Sequence, residues 1–281
     1  MKPVFILFNG FGSSKLWWNY KLPKKSSNLT KLNFINKLKR IGYVYQFNNK
    51  IFNLDYYNYY PNSKQRLLWN KIYKKYKPHD KNINFKLKDI DYKNICKSLY
   101  KNIKSKYKKN KFILIGHSYG CEIALLFSKL YKKECLFNVL LDGSVHDIKS
   151  TKQYQLQKKD ENITKKYFQN NNQLKKILNI IKNNNESNKE INLVWSLLEH
   201  MSLIYKLKYF QNKLPVYSIF IKRLDSNDEI NNKINQNEFK TIKKFNKDKM
   251  YKYILVSTDN HFIWFEQNIS DLIINEIKNN I

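Results

Sequence analysis

The residues with the clearest chemical potential form one short stretch, Gly116-His117-Ser118-Tyr119-Gly120, which fits the pattern G-x-S-x-G. A serine hydroxyl is a weak nucleophile until a neighbouring base takes its proton. The spacing serves that chemistry. A strand that turns sharply into a helix presents one side chain at the tip, and the residues two before and two after must be small. The apolar run Lys111 to Ile115 precedes the turn, and Glu122 to Phe127 reads as a helix after it, with the whole helix expected over Tyr119 to Tyr131. The N-terminal N–H groups of such a helix favour negative charge developing on a substrate oxygen. Acyl transfer needs two N–H donors for that oxygen. Tyr119, next to the serine, is the first candidate. Phe11, in the loop Asn9-Gly10-Phe11-Gly12 after the apolar run Val4 to Phe8, is the second.

A general base must come from a loop at the same edge of the sheet. Of the five histidines, His261 has that placement. It lies in Thr258-Asp259-Asn260-His261, after the expected strand Met250 to Ser257 and before an expected helix, Ile269 to Ile277. His79 falls in a polar loop, His117 within the serine turn, His146 just past Asp142, and His200 in a helical stretch. The acid that orients the imidazole has three candidates. Asp142 follows the run Leu136 to Leu141, and Asp225, with Asp228 close behind, follows Val216 to Lys222.

Scarce glycine sharpens this reading. The chain has six, and each glycine carries an entropic cost on folding. Gly10 with Gly12, Gly116 with Gly120, and Gly143 each follow a short apolar run that reads as a buried parallel strand. Gly42, after the periodic segment Leu29 to Ile41, is expected to end a helix in the left-handed conformation. Strands alternating with helices imply a mostly parallel α/β sheet with helices on both faces.

With these pieces placed, the sequence resembles the α/β-hydrolase superfamily. Gly10-Phe11-Gly12-Ser13-Ser14 followed by Trp17 or Trp18 is similar to the family's His-Gly-x-Gly loop and its Trp, with Asn9 where the family usually has His. The family order of nucleophile, acid and histidine is kept. The resemblance implies the α/β-hydrolase fold, a Ser118–His261–Asp142 triad with Asp225 as the alternative acid, and a Phe11 and Tyr119 oxyanion hole. Most members use the later acid position. Synthase-type thioesterase domains use the earlier one, and Leu141-Asp142-Gly143-Ser144 looks like theirs. The implied activity is cleavage of an ester or thioester through an acyl-enzyme, thioesterase-like, with a carboxylesterase or lipase, or a non-catalytic binding protein, as alternatives. The implied partner is a small acyl substrate, with coenzyme A and acyl carrier protein thioesters as candidates. No cofactor or metal is called for.

One domain is expected: hydrolase core over 1–147, a helical lid insertion over 148–214 with an apolar segment from Leu193 to Leu207, and core again over 215–281. A second helical insertion is expected over Ser63 to Tyr76, before a helix over Asp91 to Lys108. Apolar residues are 42% of the chain, enough for a sizeable core. The net charge of +31, from 53 basic and 22 acidic residues, attracts polyanions. The basic residues are spread along the chain without a nucleic-acid motif, and abundant Lys and Asn with scarce Arg fit an AT-rich coding bias. Three cysteines without a C-x-x-C pair suggest neither disulfides nor zinc. Without a signal peptide or an 18-residue apolar run, a cytoplasmic location is expected.

Overall fold

The computed structural model describes residues 1–10, 18, 34–47, 92–143, 214–224, 232, 236, 239–240, 242–243, 250–258 and 261–281. Six strands form one sheet: β1 (Val4–Phe8), β2 (Tyr43–Gln46), β3 (Phe112–His117), β4 (Cys135–Leu141), β5 (Tyr217–Leu224) and β6 (Tyr251–Ser257). Their order is β2-β1-β3-β4-β5-β6, and every neighbouring pair is parallel. The described helices are α1 (Phe34–Lys39), α2 (Tyr92–Lys106), α3 (Gly120–Leu130) and α4 (Gln267–Lys278).

The central strands are continuous apolar runs because both faces are covered. Alternate residues along each strand point to opposite layers. Val4, Ile6 and Phe8 pack with Phe112 and Leu114 against Ile95, Leu99 and Ile103 of α2 and Ile123 and Phe127 of α3. Phe5 and Leu7 pack with Ile113, Ile115, Val139 and Ile221 against Phe34 and Leu38 of α1 and Ile273 and Ile277 of α4. Helices thus cover both faces, as the alternation of elements predicts. A buried polar side chain also ties the first layer together. Asn138 on β4 donates through Nδ2 to Ser128 Oγ (3.2 Å) and Ser218 Oγ (3.0 Å), pinning α3 and β5 to the middle of the sheet.

The expected strands and the C-terminal helix lie within about two residues of the observed ones. Gly42 is a correction. It ends α1, with its N–H donating to Leu38 O (3.0 Å), but its φ is not left-handed. Glycine is needed there for space: a Cβ would lie 2.4 Å from the Pro3 carbonyl oxygen. The segment 148–213 of the expected lid and the expected helix over Ser63 to Tyr76 lie outside the described residues.

From β1 the chain steps outward to β2, then returns to β3 on the other side of β1. The direction of winding therefore switches between β1 and β3. In open α/β sheets, ligands bind in the crevice at the carboxyl ends of the strands flanking such a switch. The Asn9-Gly10 loop and the Ser118 turn leave the sheet at that point.

Candidate active site

Ser118 follows the last residue of β3 with φ 51°, one of two non-glycine residues with positive φ among those described. That conformation costs roughly 1–2 kcal/mol for a residue with a Cβ. Its surroundings hold it there. The Ser118 N–H donates to Leu141 O at 3.0 Å, and Ser118 O accepts from the Cys121 N–H at 3.0 Å. Tyr119 is the N-cap of α3, so its N–H lies at the N-terminal end of a helix that begins two residues after the serine. Close contacts explain the flanking glycines. A Cβ on Gly120 would sit 2.2 Å from the Phe8 carbonyl oxygen and 2.6 Å from that of Asn9. The β1 loop also touches the serine, because a Cβ on Gly10 would lie 2.9 Å from Ser118 Cβ.

Gly143 closes the same turn from β4. A Cβ there would fall 2.2 Å from Cys121 Sγ and 2.5 Å from Ser118 O. Gly143→Ala is therefore expected to displace the serine turn and to cost about 1–3 kcal/mol, as overpacking does. A lowered urea midpoint with an unchanged slope would show it.

Asp142 is the second residue with positive φ, at 43°. Asp tolerates this region better than most residues. The Asp142 N–H donates to Ile221 O at 2.8 Å, tying the turn to β5. Its carboxylate meets the histidine: His261 Nδ1 lies 2.6 Å from Asp142 Oδ2. The carboxylate is nearly buried, while His261 is about a third exposed (side chains 7% and 30%). The acceptor is a carboxylate, so Nδ1 carries the hydrogen in this contact. In the neutral imidazole that leaves Nε2 as the basic nitrogen. Arg223 at the end of β5 also touches the carboxylate, with Nε 2.9 Å from Oδ2 and its backbone N–H 3.3 Å from Oδ1.

The loop that carries His261 is fixed from two further sides. Thr258 Oγ1 donates to Glu266. His117 Nε2 lies 3.0 Å from His261 O. A carbonyl can only accept, so Nε2 of His117 carries the hydrogen. The His117 ring is enclosed by Trp264 (centroids 4.6 Å apart), Phe262 (5.0 Å) and His261 (4.5 Å). Burial holds its pKa well below 6.5, and the neighbouring His261 and Arg223 add to the effect. Nδ1 of His117 has no partner among the described residues.

This group titrates in the unfolded chain but resists protonation in the folded one. Its contribution to stability is complete above pH about 6.5 and is lost as pH falls below that value. The slope is at most about 1.4 kcal/mol per pH unit. His117→Gln, which keeps a donor for His261 O, is expected to flatten the fall in stability between neutral and mildly acid pH. Urea titrations at several pH values measure it.

Asn9 fills the place where the resemblance implied His. It accepts a hydrogen bond from the Trp18 indole, and Trp18 stacks on Trp264 with centroids 4.3 Å apart. The departure from the family pattern therefore keeps a polar anchor for the β1 loop, and of the two tryptophans proposed, Trp18 makes this contact.

The structure thus brings Asp142 to His261 and places Ser118 and Tyr119 at the switch-point turn. Phe11, Asp225 and Asp228 lie outside the described residues. Sequence reasoning missed Arg223, although a signal existed: it is one of three arginines, with Arg40 and Arg66, in a chain of 53 basic residues. Among the described residues no cluster of His, Cys, Asp or Glu suits a metal, and no helix is long and apolar enough to cross a membrane. The three cysteines are buried, and none forms a disulfide.

The sequence pattern of the family "Platelet-activating factor acetylhydrolase, isoform II" matches residues 80–197, a span that includes Ser118 and Asp142. No curated protein matches the chain. Among solved structures, MenH from S. aureus superposes over 99% of this chain and 94% of its own, with TM-score 0.54 and 15% identity. A carboxylesterase of the thaumarchaeon Nitrososphaera gargenis superposes over 100% and 91%, with TM-score 0.54 and 10% identity. An epoxide hydrolase from Vigna radiata superposes over 99% and 92%, with TM-score 0.52 and 14% identity. The parallel sheet in this strand order, the turn that carries Ser118 and these full-length superpositions together show that the chain has the α/β-hydrolase fold.

Proposed function

We propose that the chain is a serine hydrolase that cleaves an ester or thioester through an acyl-enzyme. The observation that carries this reading is the 2.6 Å contact between His261 Nδ1 and Asp142 Oδ2 on the same sheet edge as the strained Ser118 turn. His261 Nε2 takes the Ser118 proton as Oγ attacks the substrate carbonyl carbon. The Phe11 and Tyr119 N–H groups stabilise the oxyanion. The tetrahedral intermediate expels the alcohol or thiol, which receives the proton from His261. Water then gives a proton to His261 and attacks the acyl-enzyme, and the acid leaves as the proton returns to Ser118.

Thioester cleavage is the favoured chemistry, because Asp142 after β4 is the acid position that the resemblance links to synthase-type thioesterases. Coenzyme A and acyl carrier protein are anionic, which suits a chain of charge +31. A carboxylesterase is the second reading, favoured by the match over residues 80–197 to an acetylhydrolase family. Steady-state turnover of acyl-coenzyme A against p-nitrophenyl esters of the same acyl chain separates them. A higher kcat/KM on the thioester supports the first, and a higher value on the ester supports the second. Turnover of neither by folded protein favours a binding protein on a hydrolase fold.

A further inference from the structure

We propose that Arg223 is a positioning residue for the candidate base: it fixes the Asp142 carboxylate so that the carboxylate in turn fixes the His261 ring. This rests on the serine hydrolase reading, but the geometry behind it does not. Among the described residues, three donors meet the two carboxylate oxygens. One is His261 Nδ1 on Oδ2 at 2.6 Å. The other two belong to a single residue, Arg223 Nε on Oδ2 at 2.9 Å and the Arg223 backbone N–H on Oδ1 at 3.3 Å.

The sheet register makes this possible. Leu141 pairs with Ile221, and the Asp142 N–H continues the ladder onto Ile221 O. Arg223 lies two residues further along β5 and so projects to the same face as Ile221, the face on which Phe262 and Trp264 of the His261 segment pack. Arg223 lies near the end of β5, two residues before the alternative acid Asp225 in sequence. Arg223 there sets a cation against Asp142 of the neighbouring strand.

Asp142 needs such a hold. Its backbone is in the left-handed region, and its oxygen must meet Nδ1 in the ring plane for His261 to keep the right tautomer. A guanidinium suits the task because its N–H groups lie in a rigid plane, whereas a lysine ammonium is a point charge on a flexible stem. In a chain where almost every cation is lysine, an arginine at this place is notable on those grounds. The Asp142–Arg223 pair is largely shielded from water, with side chains 7% and 16% exposed, so salt screens it weakly.

The test compares wild type with Arg223→Met and Arg223→Lys. On an ester or thioester substrate, Arg223→Met is expected to lower kcat by about 10²-fold, the scale of a misplaced catalytic group, with KM little changed. Arg223→Lys is expected to recover part of the loss, because charge is restored without the planar donor. Proton NMR supplies a readout independent of turnover. The hydrogen shared by His261 Nδ1 and Asp142 gives a low-field resonance, identified by its absence in His261→Gln. Arg223→Met is expected to shift or broaden that resonance while the rest of the folded spectrum persists. An unchanged resonance in Arg223→Met, or an unchanged kcat, overturns the proposal. If wild type shows no turnover, the hydrolase reading fails, and the resonance alone still decides whether Arg223 positions the pair.

Discussion

Ser118→Ala, His261→Ala and the double variant are expected to lose hydrolytic activity to the same extent, about 10⁶-fold in kcat. The reason is that, in the proposed mechanism, nucleophile and base act as one unit. Without Oγ there is nothing for His261 to deprotonate, and without the imidazole Oγ is a neutral alcohol at pH 7. Removing the second group after the first therefore costs almost nothing more. All three proteins should fold. Ser118→Ala keeps a Cβ of the same kind in the left-handed turn, and His261 is partly exposed. Residual rate above background would come from oxyanion stabilisation and substrate binding alone. Independent effects, with the double variant far below either single one, would mean that the two residues do not share a step.

The second large effect concerns the acid. Asp142→Asn is expected to lower kcat by about 10⁴-fold. The amide can present N–H to His261, which would favour the hydrogen on Nε2 and so block proton uptake from Ser118. Asp225→Asn is expected to leave kcat near wild type. The opposite ranking would transfer the role to the later position and remove the structural basis for preferring thioesters. The Asp142 contact with Arg223 adds a stability component, because breaking a buried pair leaves a charge uncompensated. Measuring unfolding alongside kcat separates the two consequences.

How far the sequence alone leads depends on the range of each interaction. The strands were legible because β1, β3 and β4 are short apolar runs ended by glycine, a residue this chain uses only six times. The Ser118 turn was legible because its G-x-S-x-G pattern is local in sequence, although the reason for Gly120 is not: it must clear the Phe8 and Asn9 carbonyls, which lie far away along the chain. Gly42 misled for the same kind of reason. A glycine after a helix reads as a left-handed cap, but its neighbour Pro3 is remote in sequence and supplies the steric requirement.

The Asp142–His261 contact was only partly legible. Asp142 and Asp225 both follow expected strands, and only the likeness of Leu141-Asp142-Gly143-Ser144 to synthase-type thioesterases favoured Asp142. Only the register of β4 on β5 and the path of the chain from Thr258 to Glu266 bring His261 to Asp142. Arg223 and His117 were missed. Each acts on a residue far away in sequence, 81 positions for Arg223 to Asp142 and 144 for His117 to His261. The scarcity of arginine was visible, but its meaning depends on what lies beside it.

The most direct test of the central claim is the intact mass of the wild-type protein after brief exposure to a fluorophosphonate, followed by peptide mapping. One covalent adduct is expected, on Ser118, formed rapidly by wild type and absent from Ser118→Ala. An adduct on another residue, or no adduct on folded wild type, would contradict it.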